Sequence, residues 1–160
     1  LADRGWSFAA AFADYDNDGD PDLTVANDFG KNRLYRNRGD GSFEDVTGKS
    51  GASDAGFGMG VSWGDIDGDG RLDMHVSNMY STAGNRLLTA KDDPRLLKMA
   101  RGNTLLRNSG GGSFEDVSGK AGVGHSGWAW SNSFLDYNSD GHPDLYVANG
   151  YMTGESRYDL

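Results

Sequence analysis

The chain of 160 residues has no cysteine. Neither a disulfide framework nor a thiolate metal site is therefore possible. The compartment stays open on that count, because secreted proteins also do without disulfides. No long apolar run is present, so no segment reads as a membrane-spanning helix. Basic residues are in deficit, 15 Lys and Arg against 24 Asp and Glu, for a formal net charge of −9. Such a chain repels phosphate backbones, which argues against a nucleic-acid partner. The chain opens on Leu1 instead of Met, without a secretory signal pattern, and reads as a processed or excised piece. Proline is scarce, at 3 residues, whereas glycine is abundant at 25. With 4 Trp, 7 Tyr and 7 Phe beside those glycines, the composition points to short strands and tight turns within one ordinary domain.

The acidity is local. Twelve of the 24 acidic residues fall in three short segments that align with one another. These are "DYDNDGDPDLTVAN" from Asp14, "DIDGDGRLDMHVSN" from Asp65 and "DYNSDGHPDLYVAN" from Asp136. A Gly-aromatic lead-in precedes each: "GWSFAAAFA", "GFGMGVSWG" and "GWAWSNSFL". A second element recurs downstream, as "LYRNRGDGSFEDVTGKSG" from Leu34 and "LLRNSGGGSFEDVSGKAG" from Leu105. The loops are spaced by 51 and then 71 residues, the extra 20 falling between Asn78 and Asn103.

Each unit reads as four short strands, placed in the first unit near Phe8–Ala13, Leu23–Asn27, Arg33–Asn37 and Phe43–Val46. Gly39 and Gly41 supply a hairpin turn. Four strands at a period of about 50 residues predict an all-β chain of four-stranded antiparallel propeller blades. A β-sandwich of repeated hairpins is the alternative. The expected division is a first blade over 1–53, a second over 54–123 and a partial third over 124–160. The second carries an insertion at about 79–102, in which "DDPRLLKMARG" predicts a short helix with Asp93 as N-cap and Pro94 at its first position. That helix packs on a blade edge, or serves as a lid or docking element.

Five carboxylates crowd into the nine residues "DYDNDGDPD". Two unit charges about 4 Å apart repel by roughly 4 kcal/mol at an effective dielectric near 20, so the loop needs a positive partner. Oxygen side chains recur at positions one, three, five and nine of each loop. They are Asp14, Asp16, Asp18 and Asp22; Asp65, Asp67, Asp69 and Asp73; and Asp136, Asn138, Asp140 and Asp144. Position six is always glycine: Gly19, Gly70 and Gly141. Alternating oxygens around a sharp glycine turn make a cage for a hard cation with six to eight ligands. Position seven varies (Asp20, Arg71, His142), as expected if only its backbone carbonyl coordinates. Without Cys or paired His, zinc is disfavoured. Calcium suits numerous ligands on a flexible loop better than magnesium does. An EF-hand is excluded, since position twelve is Val25, Val76 or Val147 instead of Glu. Three divalent ions would bring the net charge to −3. A metal-free acidic turn leaves the recurrent glycine unexplained.

Other features carry less. Arg38–Asp40 spells "RGD", yet a turn that needs glycine accounts for it. Trp6, Trp63, Trp128 and Trp130 lie in or beside the lead-ins, where packing between blades competes with a sugar platform. His75, His125 and His142 form no triad, and neither a phosphate loop nor a nucleophile elbow is present, so no catalytic residue is assigned.

The "DxDxDGxxD" loops and "NRLYRNRGDGSFEDVT" resemble the FG-GAP/VCBS repeats of integrin-α-like β-propellers. With "SNMYSTAGN" and "ARGNTLLRN", the pattern looks like the cartilage acidic protein and ASPIC/UnbV group. The resemblance implies calcium in the loop between the first and second strands of each blade. It also implies six or seven blades, whereas this chain holds two and part of a third. Two blades leave apolar faces uncovered, so the remaining blades or other copies of the chain are expected partners. The leading functional expectation is a calcium-stabilised binding, adhesion or scaffolding module that is extracellular, at the cell surface or periplasmic. Its ligand would be a protein or a carbohydrate. Alternatives are a sugar-binding propeller and a natural-product biosynthesis protein of UnbV type, for which His125 and the insertion helix are the first residues to change.

Overall fold

The computed structural model describes residues 5–80 and 99–150. The chain is all-β over this range. Strands β1 (Trp6–Ala13), β2 (Asp22–Asp28), β4 (Arg33–Asn37) and β5 (Phe43–Asp45) form one antiparallel meander, in the order β1-β2-β4-β5. Strands β7 (Gly58–Gly64), β8 (Asp73–Asn78), β9 (Thr104–Gly110) and β10 (Ser113–Asp116) form a second of the same order. Strands β11 (Ala129–Leu135) and β12 (Asp144–Asn149) make a two-stranded third sheet. The architecture is that of a partial propeller of successive four-stranded sheets. Of the insertion helix expected after Asp93, the part up to residue 98 lies outside the described residues; Met99 is helical and Gly102 follows in the left-handed region.

The strands form where the period-two pattern places them. Val25, Val76 and Val147 fall inside second strands, as the rejection of an EF-hand required. Two features escape that pattern. Short strands β3 (Gly30–Lys31) and β6 (Ala55–Gly56) pair with each other and stitch the first unit to the second. A four-residue helix α1 (Ser118–Ala121) follows β10 and ends on Gly122 in the left-handed region.

Each lead-in strand also carries a β-bulge at one repeat position. The register shifts between Ser7 and Ala9, between Gly58 and Gly60, and between Ala129 and Ser131. The extra residue is Phe8, Met59 or Trp130.

The core lies between the first two sheets. Ala26 and Leu34 of the first meet Met74, Val76 and Leu106 of the second, with Tyr15, Val46 and Ala52 from the connections. Burying each large member contributes about 1.5–3 kcal/mol. Trp63 packs against this cluster, stacked on Tyr15 at 6.2 Å between ring centroids, with Phe114 at 6.0 Å. The packing role expected for the tryptophans holds there. Trp6, by contrast, is 74% exposed.

The junction of the second and third sheets is more polar. Buried His75 faces Phe134 edge-on at 6.3 Å, and the Asn132 amide donates to the His75 carbonyl at 3.0 Å. The same amide meets Nδ1 of the ring, while Nε2 is buried without a partner. Burial lowers the pKa of this imidazole from 6.5 to about 4.

Gly51 sits where the first two units meet. Its φ is +76°, and a Cβ added there would stand 2.8 Å from the Phe114 carbonyl oxygen. The left-handed conformation and the backbone contact both penalise a side chain. Gly51→Ala is expected to destabilise the fold by about 2–4 kcal/mol, read from urea unfolding of the two proteins.

Candidate metal centres in the acidic loops

Each loop is built on the carboxylate at its first position. Asp14 accepts the backbone N–H groups of Asp18 and Gly19, both at 3.0 Å. Asp65 accepts those of Asp69 and Gly70 at 3.0 and 2.8 Å, and Asp136 those of Asp140 and Gly141 at 3.0 and 2.8 Å. The fifth position closes the next turn. Asp18, Asp69 and Asp140 accept the N–H of Asp20, Arg71 and His142 at 2.9–3.0 Å. The glycine at position six holds φ near +90° in all three loops, a region L side chains avoid. Position four is left-handed as well, at Asn17, Gly68 and Ser139. Asn and Gly tolerate that conformation, so those residue types were a signal that the spacing argument passed over.

Position nine ties the loop to the sheet. Asp22 accepts the N–H of Tyr15 at 3.2 Å and, through its other oxygen, that of Asn37 in β4 at 2.7 Å. Asp73 does the same with Ile66 at 2.9 Å and Asn108 in β9 at 2.7 Å. Asp144 accepts the N–H of Tyr137 at 3.1 Å. Asn37 and Asn108 were quoted in the recurring "RN" without a role. Their side chains return to the loops, Asn37 to the Pro21 carbonyl and Asn108 to those of Leu72 and Tyr15.

The structure gathers some, not all, of the expected ligands. In the first loop Asp14, Asp16 and Asp18 each offer an oxygen, all within 4.8 Å of one another; in the second, Asp65, Asp67 and Asp73 do so. Asp22 lies outside the first triad, bound to backbone N–H groups. Asp69 lies outside the second, where Arg71 forms an ion pair with it and donates to the Asn108 carbonyl at 3.1 Å. In the third loop Asn138 replaces the carboxylate at position three. Its amide donates to Asp140 at 2.9 Å, and its carbonyl accepts the Asp140 N–H. At position seven, Asp20 turns to the hairpin tip, where a Cβ on Gly39 would stand 2.6 Å from its Oδ2. His142 is exposed.

The electrostatics are those of carboxylates short of countercharge. Burial, then the charges of Asp18 and Asp14, raise the pKa of Asp16. Burial pushes Asp22 up to about 6 against two backbone hydrogen bonds that lower it, and raises Asp73 likewise. Asp140 is held below the usual range by the His142 N–H and the Asn138 side chain. Oδ1 of Asp16 is buried with no hydrogen-bond partner. An acceptor left bare inside a carboxylate triad fits a hard cation.

The remaining sites read as follows. The "RGD" turn is internally tied: Arg38 pairs with Glu44 at 3.1 Å, and Asp40 accepts the Ser42 N–H at 2.9 Å. Lys49 and Arg38 hold Glu44 at about 2. His125 stacks edge-on against Tyr80 at 4.6 Å and lines a cavity of about 250 Å³ with Arg101, Asp116 and Ser118. His75, His125 and His142 stay in separate places.

A family model described as FG-GAP-like repeat matches residues 14–76 and 91–147, about three quarters of the chain. The first stretch begins at Asp14 and spans the first two acidic loops, and the second takes in the third loop and ends at Val147 in β12. No curated protein matches the chain.

Position nine and position three are expected to separate in a metal-free assay. Asp73→Ala leaves two N–H groups without their acceptor and should cost about 2–5 kcal/mol in chelator. Asp67→Ala, at an exposed position, should change the same melt by less than about 0.5 kcal/mol.

Proposed function

The chain belongs to the FG-GAP-like repeat family, and on that premise we propose that its three acidic loops bind structural calcium in a propeller-type binding or scaffolding module outside the cytoplasm. The ligands would be Asp14, Asp16, Asp18 and Asp22 in the first loop, Asp65, Asp67, Asp69 and Asp73 in the second, and Asp136, Asn138, Asp140 and Asp144 in the third. Asp20, Arg71 and His142 would contribute only backbone carbonyls. The observation that carries the reading is the pair of carboxylate triads, one of them with a buried bare oxygen on Asp16.

Calcium would supply charge neutralisation where the chain supplies only N–H donors. It would also join the start of each loop to its end, and so the first strand to the second. The loops are not equivalent in this account. Arg71 competes with the ion for Asp69, and Asn138 removes one charge from the third loop, so the first loop should bind most tightly. Extracellular modules bind calcium at about 10⁻⁴–10⁻³ M, well above cytosolic concentrations, which favours an extracellular or periplasmic setting. Among the described residues no helix is long and apolar enough to cross a membrane.

The finer resemblance to the cartilage acidic protein and ASPIC/UnbV group rests on the quoted motifs. A biosynthetic role of UnbV type rests on that resemblance alone. The carbohydrate reading is favoured by one observation, the exposure of Trp6 and Trp130 in the lead-ins; absence of binding on a broad glycan array would remove it.

Ligand-bound stability gives the decisive measurement. At calcium 100-fold above its dissociation constant, one site adds about 2.7 kcal/mol. The melting temperature in calcium should therefore exceed that in chelator by at least roughly 5 °C. Asp16→Asn should remove more of this rise than Asp67→Asn or Asn138→Ala. An equal melting temperature in calcium and chelator would sink the proposal.

A further inference from the structure

We propose that the cavity beside β9 binds a guanidinium group, which Asp116 receives as Asp45 receives Arg33 in the first unit. The cavity lies apart from the acidic loops, and the argument is independent of the metal.

The two units anchor this carboxylate in the same way. Oδ1 of Asp45 accepts the N–H and the hydroxyl of Thr47, at 3.0 and 2.6 Å. The Thr47 hydroxyl oxygen in turn accepts the Leu34 N–H at 3.0 Å. In the second unit Oδ1 of Asp116 accepts the N–H and the hydroxyl of Ser118, at 3.0 and 2.5 Å, and Ser118 accepts the Leu105 N–H at 2.9 Å. One oxygen is thus engaged locally in both units, and Oδ2 is turned to a cation.

The source of that cation differs. In the first unit it is Arg33, the residue before Leu34 in β4, which meets Oδ2 of Asp45 at 3.4 Å. The residue before Leu105 in β9 is Thr104, which carries no charge. A cavity of about 250 Å³ is lined there by Thr104, Asp116, Ser118, Asn103 and His125. Arg101 also lines it and approaches Oδ2 of Asp116 at 3.7 Å, with its side chain 60% exposed. A pair so long and so exposed contributes little, so it yields to a donor better placed inside the cavity. A planar guanidinium offers such donors in parallel.

The walls are formed before any ligand arrives. The Asn103 N–H donates to the Gly124 carbonyl at 2.9 Å, and its side-chain amide donates to the Val123 carbonyl at 3.2 Å. The two backbones touch so closely that a Cβ on Gly102 would collide with the Gly124 oxygen. Such preorganisation spares the ordering cost of binding. At the rim the His125 ring meets Tyr80 edge-on at 4.6 Å, and aromatic faces attract a planar cation. Asp54, buried, adds a second carboxylate to the lining. The volume is below the roughly 300–1,000 Å³ of pockets for drug-sized ligands, and it suits one alkylguanidinium. That group could arrive on a free small molecule or on an arginine of a peptide.

The test is a nuclear magnetic resonance titration with methylguanidinium chloride in calcium buffer, against sodium chloride at equal ionic strength. Methylguanidinium alone should move the Thr104, Ser118 and Gly124 amide signals to saturation. Asp116→Asn should weaken binding by about tenfold or more, whereas Asp45→Asn should leave it unchanged. Arg101→Gln removes a competitor and should tighten it. Thr104→Arg restores the first unit's residue and should abolish binding with an unchanged circular dichroism spectrum. Should that variant lose its spectrum, Asp116→Asn and Arg101→Gln decide the matter between them. A blocked Gly-Arg-Gly peptide that binds more tightly than methylguanidinium supports the site with a peptide as its source, and one that binds more weakly supports it with a free molecule. Absence of a saturable shift overturns the proposal. So does an affinity unchanged by Asp116→Asn, or one weakened by Arg101→Gln, which would mark a site for anions.

Discussion

The carboxylate at the ninth loop position holds the repeat together. In Asp22 and Asp73 one oxygen takes the N–H that follows the loop's first aspartate, and the other takes an N–H from the third strand of the sheet. One side chain thereby fixes the loop's two ends and the strand beyond them. Both carboxylates are buried, which makes their hydrogen bonds obligatory. From each anchored third strand an asparagine reaches back to the loop, and Asn108 goes further, to the Tyr15 carbonyl of the preceding unit at 2.8 Å. The anchor within one repeat is thus also a brace between two.

The same arrangement explains why acidic loops are retained at a structural position. Donors from the backbone hold the geometry of the carboxylates but do not cancel their charge. Burial and mutual repulsion therefore raise Asp16, and burial raises Asp22 and Asp73, despite good hydrogen bonds in the latter pair. A guanidinium answers part of this in the second loop, where Arg71 joins Asp69. The first loop carries Asp20 where the second has Arg71, and it is there that Asp16 keeps an oxygen bare.

Much of the architecture was legible in the chain itself because the repeats report it three times. Alternation in "LTVAN" and "LYVAN" located second strands, and the hairpin glycines Gly39 and Gly41 marked a turn with positive φ at both. The short β3–β6 pairing was not legible, since two residues carry no periodicity and Gly30–Lys31 and Ala55–Gly56 pair only through the tertiary fold. The loop chemistry was readable as a set of oxygens. Their division was not: nothing in the spacing says that the ninth carboxylate stands outside the triad in the first loop (Asp22) and inside it in the second (Asp73), or that Arg71 folds back on Asp69. Those outcomes depend on where β4 and β9 run. The roles of Asn37 and Asn108 were hidden for the same reason, although their recurrence was in plain view.

The bulge in each lead-in strand changes what its sequence means. Trp6 and Phe12 are six residues apart, and in an unbroken strand they would share a face. The extra residue at Phe8 sets Trp6 opposite Asp28 and Phe12 opposite Leu23. Asp28 and Leu23 are five apart, so the two aromatics stand on opposite faces of the sheet. The strand therefore contains a change of phase. Side chains that a plain period of two would put on one face are thereby divided between the two faces, those before the bulge out of phase with those after it.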